Sequence, residues 1–420
     1  MTDYETLRQA IAGEIRERGP MTFRRYMELC LYHPAWGYYN RPGPIIGRAG
    51  DFYTSPQVGA VFGRTLARQV EEVWELSGRP EEFWVVEYGA GTGVMAADVI
   101  GALAGVGAGA LAASELAGRL RYLIIETSPA RREEQAKAIG VALGAGGAGE
   151  AGAIRAPVVW APDLGPVDGA AACVLANELV DAFPVHVVRG GSGDGAGLQE
   201  LHVTTVSTEG DGPLAESCST GIELISAVDD HRTTFGFIPG APSTPALAAY
   251  LDWLGVRLVD GQTAEVNLDA LRWLEGLDRG LTRGAAIVID YGYLTPSLYN
   301  PEFRFDGTVM TYRRHRASPD PFAAPGEQDL TAHVNFSALM KRGGELGWGV
   351  AGYSDQLHFL VNLGILDAAA GPDLGAVKHL VMPGAMGERF KVLALCKGLG
   401  QSGEPPRLKG FHGVLPGKAD

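Results

Sequence analysis

The residues best suited to chemistry form the run Glu87-Tyr88-Gly89-Ala90-Gly91-Thr92-Gly93, between an apolar stretch at 83–86 and a helix-like stretch from Val94. Glycines there let the backbone turn and approach a ligand with no Cβ in the way. A strand before the loop and a helix after it is the context in which such a turn cradles a nucleotide-like ligand. The glycines fall at 89, 91 and 93 and residue 94 is Val, so the six-residue dinucleotide fingerprint is not met. Glu87 stands two residues before the first glycine, where an anionic pyrophosphate would avoid it. A ligand carrying a sulfonium and an ammonium group, such as S-adenosylmethionine (SAM), is compatible with that acid. Glu126 ends a second apolar run, a place from which a carboxylate accepts ribose hydroxyls. Glu87, Gly89, Ala90, Gly91, Gly93 and Glu126 are therefore the expected contacts to SAM.

A second group follows the fourth apolar run, in Ala176-Asn177-Glu178-Leu179-Val180-Asp181-Ala182-Phe183-Pro184-Val185-His186. Carboxyl ends of strands in an open α/β sheet face the ligand crevice. Asn177 and Glu178 are thus expected beside the transferable methyl, with Asn177 also touching the donor. Displacement at a methyl group needs orientation more than proton transfer. A carboxylate such as Glu178 would bind a cationic acceptor or take its proton. The alternative is that Asn-Glu merely caps the next helix. His186 is the best catalytic candidate among the histidines because it follows this segment. Tyr291, directly after Asp290 at another strand end, would orient an acceptor or pack. His33, His186, His315 and His333 lack metal-ligand spacing, so no metal is expected. Arg313, Arg314 and Arg316 form a short basic run, either solvated or in contact with substrate.

These side chains need a scaffold, and the apolar pattern describes one. Leu7, Ile11 and Ile15 predict a helix over 3–18, and further helices are expected at 23–31 and 58–76. Apolar runs at 83–86, 122–125, 158–160, 172–175 and 286–289 read as strands of a parallel sheet buried on both faces. Runs at 185–188 and 201–206 read as a hairpin. Residues 213–280 look mainly irregular and helical and 291–328 irregular, while 347–352 and 390–397 suit an antiparallel closing pair. The expected organisation is an N-terminal helical extension and lid (1–78), a Rossmann-like core (79–206 and 281–420) and an inserted substrate or partner lobe (207–280). Formal net charge is −14, which disfavours a nucleic-acid binder. No apolar run is long enough to span a bilayer, and no membrane association is expected. Four scattered cysteines suggest free thiols, and the N-terminus lacks a signal pattern, so a cytoplasmic protein is expected. A homodimer stays open.

Along nearly its whole length the chain resembles the MidA family of SAM-dependent methyltransferases, which includes a mitochondrial respiratory complex I assembly factor that methylates a protein arginine. The resemblance is carried by Gly19-Pro20-Met21-Thr22-Phe23, Met27-Glu28-Leu29-Cys30-Leu31-Tyr32-His33-Pro34, Gly50-Asp51-Phe52-Tyr53-Thr54-Ser55-Pro56, the glycine loop and Ala176-Asn177-Glu178. It continues through Ile289-Asp290-Tyr291-Gly292, Tyr312-Arg313-Arg314-His315-Arg316, Asp329-Leu330-Thr331-Ala332-His333-Val334 and Met386-Gly387-Glu388-Arg389-Phe390. It implies a class I core, SAM as donor, and a lid at 50–57 whose Thr54 and Ser55 contact the donor. The family's E-L-G-P-G-R-G is here Glu87 to Gly93 with Thr92 in place of Arg. Gln57 stands where Glu is usual, Leu179-Val180 where aromatic residues are usual, and Asn335 where Asp is usual. Guanidinium recognition favours paired carboxylates, so the acceptor stays open between a protein arginine and a small molecule's nitrogen or oxygen. A SAM-binding assembly factor without turnover is the third option.

Overall fold

In a computed structural model of the chain, the described residues are 3–41, 43, 45–47, 50–105, 114–142, 158–191, 197–206, 234–369, 371–400 and 404–413. Most of the Ala/Gly-rich crossovers, the tip of the expected hairpin and 207–233 of the expected inserted lobe lie outside them, as does Cys218. The chain divides into two compact units.

One unit comprises Tyr53–Val180, Leu271–Gly292 and Phe336–Asp420. Its strands, numbered within this sheet, are β1 (Phe83–Tyr88), β2 (Leu120–Ile125), β3 (Val158–Ala161), β4 (Ala171–Asn177), β5 (Arg283–Tyr293), β6 (Gly349–Asp355) and β7 (Phe390–Lys397). They lie in the order β6-β7-β5-β4-β1-β2-β3. β1 to β5 run parallel, and β7 pairs antiparallel with both β5 and β6. Phe83 to Glu87 in β1 and Ala172 to Asn177 in β4 are buried without alternation, because helices cover both faces of a parallel sheet. Chain order reverses at the β1–β4 pair, and the carboxyl ends of such neighbouring strands form the ligand crevice of doubly wound sheets. The antiparallel pair expected at 347–352 and 390–397 is present as β6 and β7.

The expected helix over 58–76 is two pieces, a short Ser55–Val58 and a longer Val61–Leu76. The longer one packs on Val94–Leu103, the helix that the glycine loop opens. A Cβ at Gly63 would lie 2.5 Å from Asp98 Cβ, so only glycine permits that approach.

The other unit comprises Met1–Phe52, Asp181–Ala270 and Tyr293–Asn335. Its main sheet joins Met21–Thr22, Gln199–Val206, His186–Arg189 and Thr263–Val266, with Thr234–Gly240 also paired to Gln199–Val206. Helices Asp3–Arg18 and Phe23–Tyr32 pack on it. Tyr26, Phe235, Phe237 and Phe322 form an aromatic centre with neighbouring ring centroids 5.0–5.8 Å apart, within the range of favourable edge-to-face contact.

This division differs from the sequence expectation in four places. The hairpin of His186–Arg189 and Gln199–Val206 forms, but belongs to this second sheet and not to the core of 79–206. Within 213–280, the described part holds the expected helical chain, at Ala246–Leu254 and Leu268–Gly280, but also supplies two strands to that sheet. Within 291–328, Met310–Arg313 and Arg316–Ser318 pair as strands. These strands are short and only partly apolar, so periodicity had little length over which to show. The extension also divides, because Met21–Thr22 pairs with His202 and Val203 while chain from Tyr53 onward joins the other unit.

Candidate active site

The glycine loop leaves the carboxyl end of β1. Gly89, Gly91 and Gly93 all have positive φ (63°, 52° and 79°), a region that side-chain-bearing residues avoid. Three left-handed residues in five positions give the tight cradle expected of a backbone that must approach a ligand. A Cβ at Gly89 would meet Leu179 Cδ1 at 3.2 Å, and one at Gly93 would meet the backbone of Gln135 at the same distance. The loop is thus fitted between the segment after β4 and the helix after β2.

Glu87 is buried beneath this loop, and its Oε2 accepts a 2.6 Å hydrogen bond from Tyr122 Oη. Burial pushes its carboxyl up to about 7, the Tyr122 bond opposes that, and the carboxylate of Asp98 adds to the rise. Burial likewise pushes Asp98 up to about 6. Glu87 is thus buried at the end of β1 with its carboxyl bonded to a phenol. Glu126, after β2, is half-buried. Its Oε1 accepts from Ser128 N at 2.9 Å and its Oε2 from Gln135 Nε2 at 3.1 Å. Each carboxylate oxygen has a second lone pair, so both ribose hydroxyls can still be accepted.

At the carboxyl end of β4, Asn177 Nδ2 donates to Glu178 Oε1 at 3.0 Å, and Ser55 N donates to the same oxygen at 3.0 Å. Glu178 has φ +50°, a strained value for a residue with a long side chain, of order 1–3 kcal/mol. The strain is held by Asp290, which is fully buried at the end of β5. Asp290 Oδ2 accepts from Leu179 N (3.2 Å) and Val180 N (2.9 Å), and its Oδ1 from Tyr291 N (2.8 Å). Glu178 N itself donates to Ile289 O at 2.8 Å. A carboxylate only accepts, so the Asn177 amide must present its NH2 to Glu178. Its Oδ1 is then left buried with no hydrogen-bond partner. A buried acceptor without a donor costs about 1–3 kcal/mol, and a ligand N–H would satisfy it.

The remaining expected residues have these places. Ala90 is buried within the loop. Ser55 is fully buried, and its hydroxyl donates to Gln356 Oε1 at 3.0 Å, so it braces Glu178 through its amide and presents no hydroxyl outward. Thr54 caps the same short helix by position, its carbonyl accepting from Gln57 N at 3.0 Å. Tyr291 packs on Phe390, ring centroids 4.1 Å apart. His186 lies in the other unit, buried in its sheet, with Nδ1 2.7 Å from Glu200 Oε1. That carboxylate also accepts from Ser243 N, which makes the pair a structural link within that sheet, and the catalytic expectation for His186 is withdrawn. Among the described residues, no group of three metal-ligating side chains comes together, and no helix is long and apolar enough to cross a membrane.

Gln57, Leu179 and Val180 were the departures that put the acceptor in question. Gln57 Nε2 donates to Thr92 Oγ1 at 2.6 Å, so it serves the donor loop. Leu179 lies against Gly89, and Val180 is fully buried in packing. Sequence reasoning overlooked Gln135, Tyr122 and Asp290 as parts of the site. For Gln135 a signal existed: it precedes the buried Ile139 by one helical turn and so shares its inward face.

A doubly wound sheet with a triple-glycine loop after its central strand, an acid after the next and an orphaned acceptor after β4 defines a SAM-dependent methyltransferase. The residues fit that donor: the loop admits close backbone approach, and Glu126 accepts hydroxyls. The chain belongs to a family of S-adenosyl-L-methionine-dependent methyltransferases whose model matches residues 65–354. It is similar to the mouse protein arginine methyltransferase NDUFAF7, mitochondrial, at 28% identity over 91% of this chain and 82% of that protein. The human counterpart is 29% identical over 91% and 81%. A crystal structure of a COG1565 superfamily member from Burkholderia thailandensis bound to S-adenosyl-homocysteine superposes with a TM-score of 0.78, at 31% identity, covering 98% of this chain and 95% of that one.

Proposed function

We propose that the protein methylates a nitrogen, with a protein arginine as the acceptor class that the site supports best. The observation that carries this is the Asn177–Glu178 pair at the end of β4: a carboxylate fixed by two donors beside a buried, unpartnered amide oxygen. An acceptor bearing several N–H groups and a positive charge suits both groups, whereas a hydroxyl offers one proton and no charge. The names of the NDUFAF7 relatives agree with this acceptor.

When bound, SAM supplies an electrophilic methyl on a sulfonium. In the proposed scheme the glycine loop and Glu126 hold the donor. Asp290 clamps the backbone after Glu178 through the N–H groups of Leu179 and Val180, so Asn177 and Glu178 are held in place before the acceptor arrives. Asn177 Oδ1 receives an N–H, and Glu178 lies where it can balance the acceptor's charge and take the proton released on transfer.

The departures that favoured a small-molecule acceptor lose weight, since Gln57 and Leu179 lie on the donor side and Val180 in the core. The experiment is incubation with methyl-labelled SAM and host lysate, followed by hydrolysis of the protein fraction. Label in methylated arginine is the expected result. Label found only in the low-mass fraction would favour the small-molecule reading and end the arginine proposal.

A further inference from the structure

Gln135 is fully buried on the helix Pro129–Ala142, in the unit that carries the glycine loop. Its Nε2 donates to Gly91 O and to Glu126 Oε2, each at 3.1 Å, and its Oε1 accepts from Trp160 Nε1 at 2.9 Å. An indole only donates, while a carbonyl and a carboxylate only accept, so this amide has one permitted orientation. The same side chain therefore grips the middle glycine of the loop and the acid after β2. Gly93 makes room for it, since a Cβ there would lie 3.2 Å from Gln135 Cα. Ser128 N holds the other oxygen of Glu126, and the Arg132 guanidinium donates to the Glu126 carbonyl at 2.8 Å. The plane of the Glu126 carboxylate is thus set from both sides.

We infer that Gln135 is a positioning residue for the donor. It locks the Glu126 carboxylate and the Gly91 peptide into one rigid unit, and so sets how strictly the site demands a ribose diol. Its hydrogen bonds go to protein groups, so it acts through Glu126 and the loop and not on the ligand. This rests on the assignment of Glu126 to the donor's ribose, and the test separates the two.

The test measures, by calorimetry on the full chain, the affinities of S-adenosyl-homocysteine and of its 2′,3′-dideoxy analogue. The ratio of the two is a preference for the diol, which a general loss of stability would not alter. Wild type should prefer the diol by about tenfold or more, and Glu126→Gln should reduce that preference. Gln135→Met, close in size and without an amide, should cut the preference by at least about fivefold. Gln135→Glu should do the same, because two carboxylates then face each other where a donor stood. That second variant carries the test should Gln135→Met fail to fold. An unchanged preference in the Gln135 variants, with Glu126→Gln reducing it, would overturn this inference and leave the donor site standing. No effect of Glu126→Gln would remove the donor-site assignment and the inference with it.

Discussion

Gln57 and Thr92 meet side chain to side chain, the amide of Gln57 donating to the Thr92 hydroxyl at 2.6 Å. Both positions depart from the pattern of the family the chain resembles, which places Glu at the first and Arg at the second. A pair able to carry opposite charges is here a neutral hydrogen bond, and the change is self-consistent. We predict that Thr92→Arg alone weakens SAM binding, because an unpaired cation is introduced beside a loop that must hold a cationic ligand. Gln57→Glu should suppress that loss. A double-mutant cycle on SAM affinity should show favourable coupling of about 1 kcal/mol; additive effects would refute the exchange.

Asp290 satisfies two backbone N–H groups in the turn after β4, Leu179 N and Val180 N, and a third, Tyr291 N, on its own strand. Asp290→Asn keeps one acceptor oxygen, so its NH2 must face either Tyr291 N or the pair Leu179 N and Val180 N, setting donor against donor. The expected result is a fall in methyl transfer of at least about tenfold, with unfolding made easier by about 1–3 kcal/mol per orphaned donor. SAM affinity should change little. Turnover kinetics and calorimetry on the same preparation check this, and loss of SAM binding in step with turnover would contradict it.

Glu87 gives a pH dependence with a definite sign. In the folded chain it keeps its proton up to about pH 7, whereas an unfolded glutamic acid loses it near 4.5. Between those values the folded state binds more protons, so this group's contribution makes stability fall as pH rises through the window. Glu87→Gln keeps an acceptor for Tyr122 and removes the titration. Its stability relative to wild type should rise between pH 4.5 and 7 by up to about 3 kcal/mol. Denaturant unfolding of both proteins at about pH 5 and about pH 8 tests this, and parallel profiles would contradict it.

Arg314 and His315 occupy the two-residue loop between Met310–Arg313 and Arg316–Ser318, both at positive φ (50° and 60°). Asn followed by Gly is the preferred pair for such a loop. The present conformation is held by Asp51, whose Oδ1 accepts from Arg314 N and whose carbonyl accepts from His315 N, each at 2.8 Å. Those two bonds use backbone donors, so they survive a change of side chain. Combining Arg314→Asn with His315→Gly should therefore stabilise the protein by about 1 kcal/mol. An unchanged or lower denaturation midpoint would show that the turn carries no strain.

Much of the donor half was legible in sequence because its cause is local. A glycine loop after a buried strand has few other uses, and long apolar runs at 83–86 and 172–175 can only be central strands or buried helix. The antiparallel closing pair was legible for the same reason. The second sheet was not, since Met21–Thr22 is two residues, Thr263–Val266 carries polar residues within its span, and both pair with partners far along the chain. His186 was misjudged because its ring is buried in a sheet and committed to Glu200, a partnership that spacing along the chain does not record. Asp290 and Gln135 were missed because their roles lie in which groups they satisfy, and spacing alone does not record that.

The most direct test is single-turnover methyl transfer by Glu178→Gln, measured with labelled SAM and an arginine-bearing protein acceptor, beside SAM affinity by calorimetry. The substitution keeps size and hydrogen bonding but removes the charge assigned to the acceptor. The prediction is a loss of transfer of about a hundredfold or more with SAM affinity within about threefold of wild type. Undiminished transfer, or a loss explained entirely by SAM binding, would contradict it.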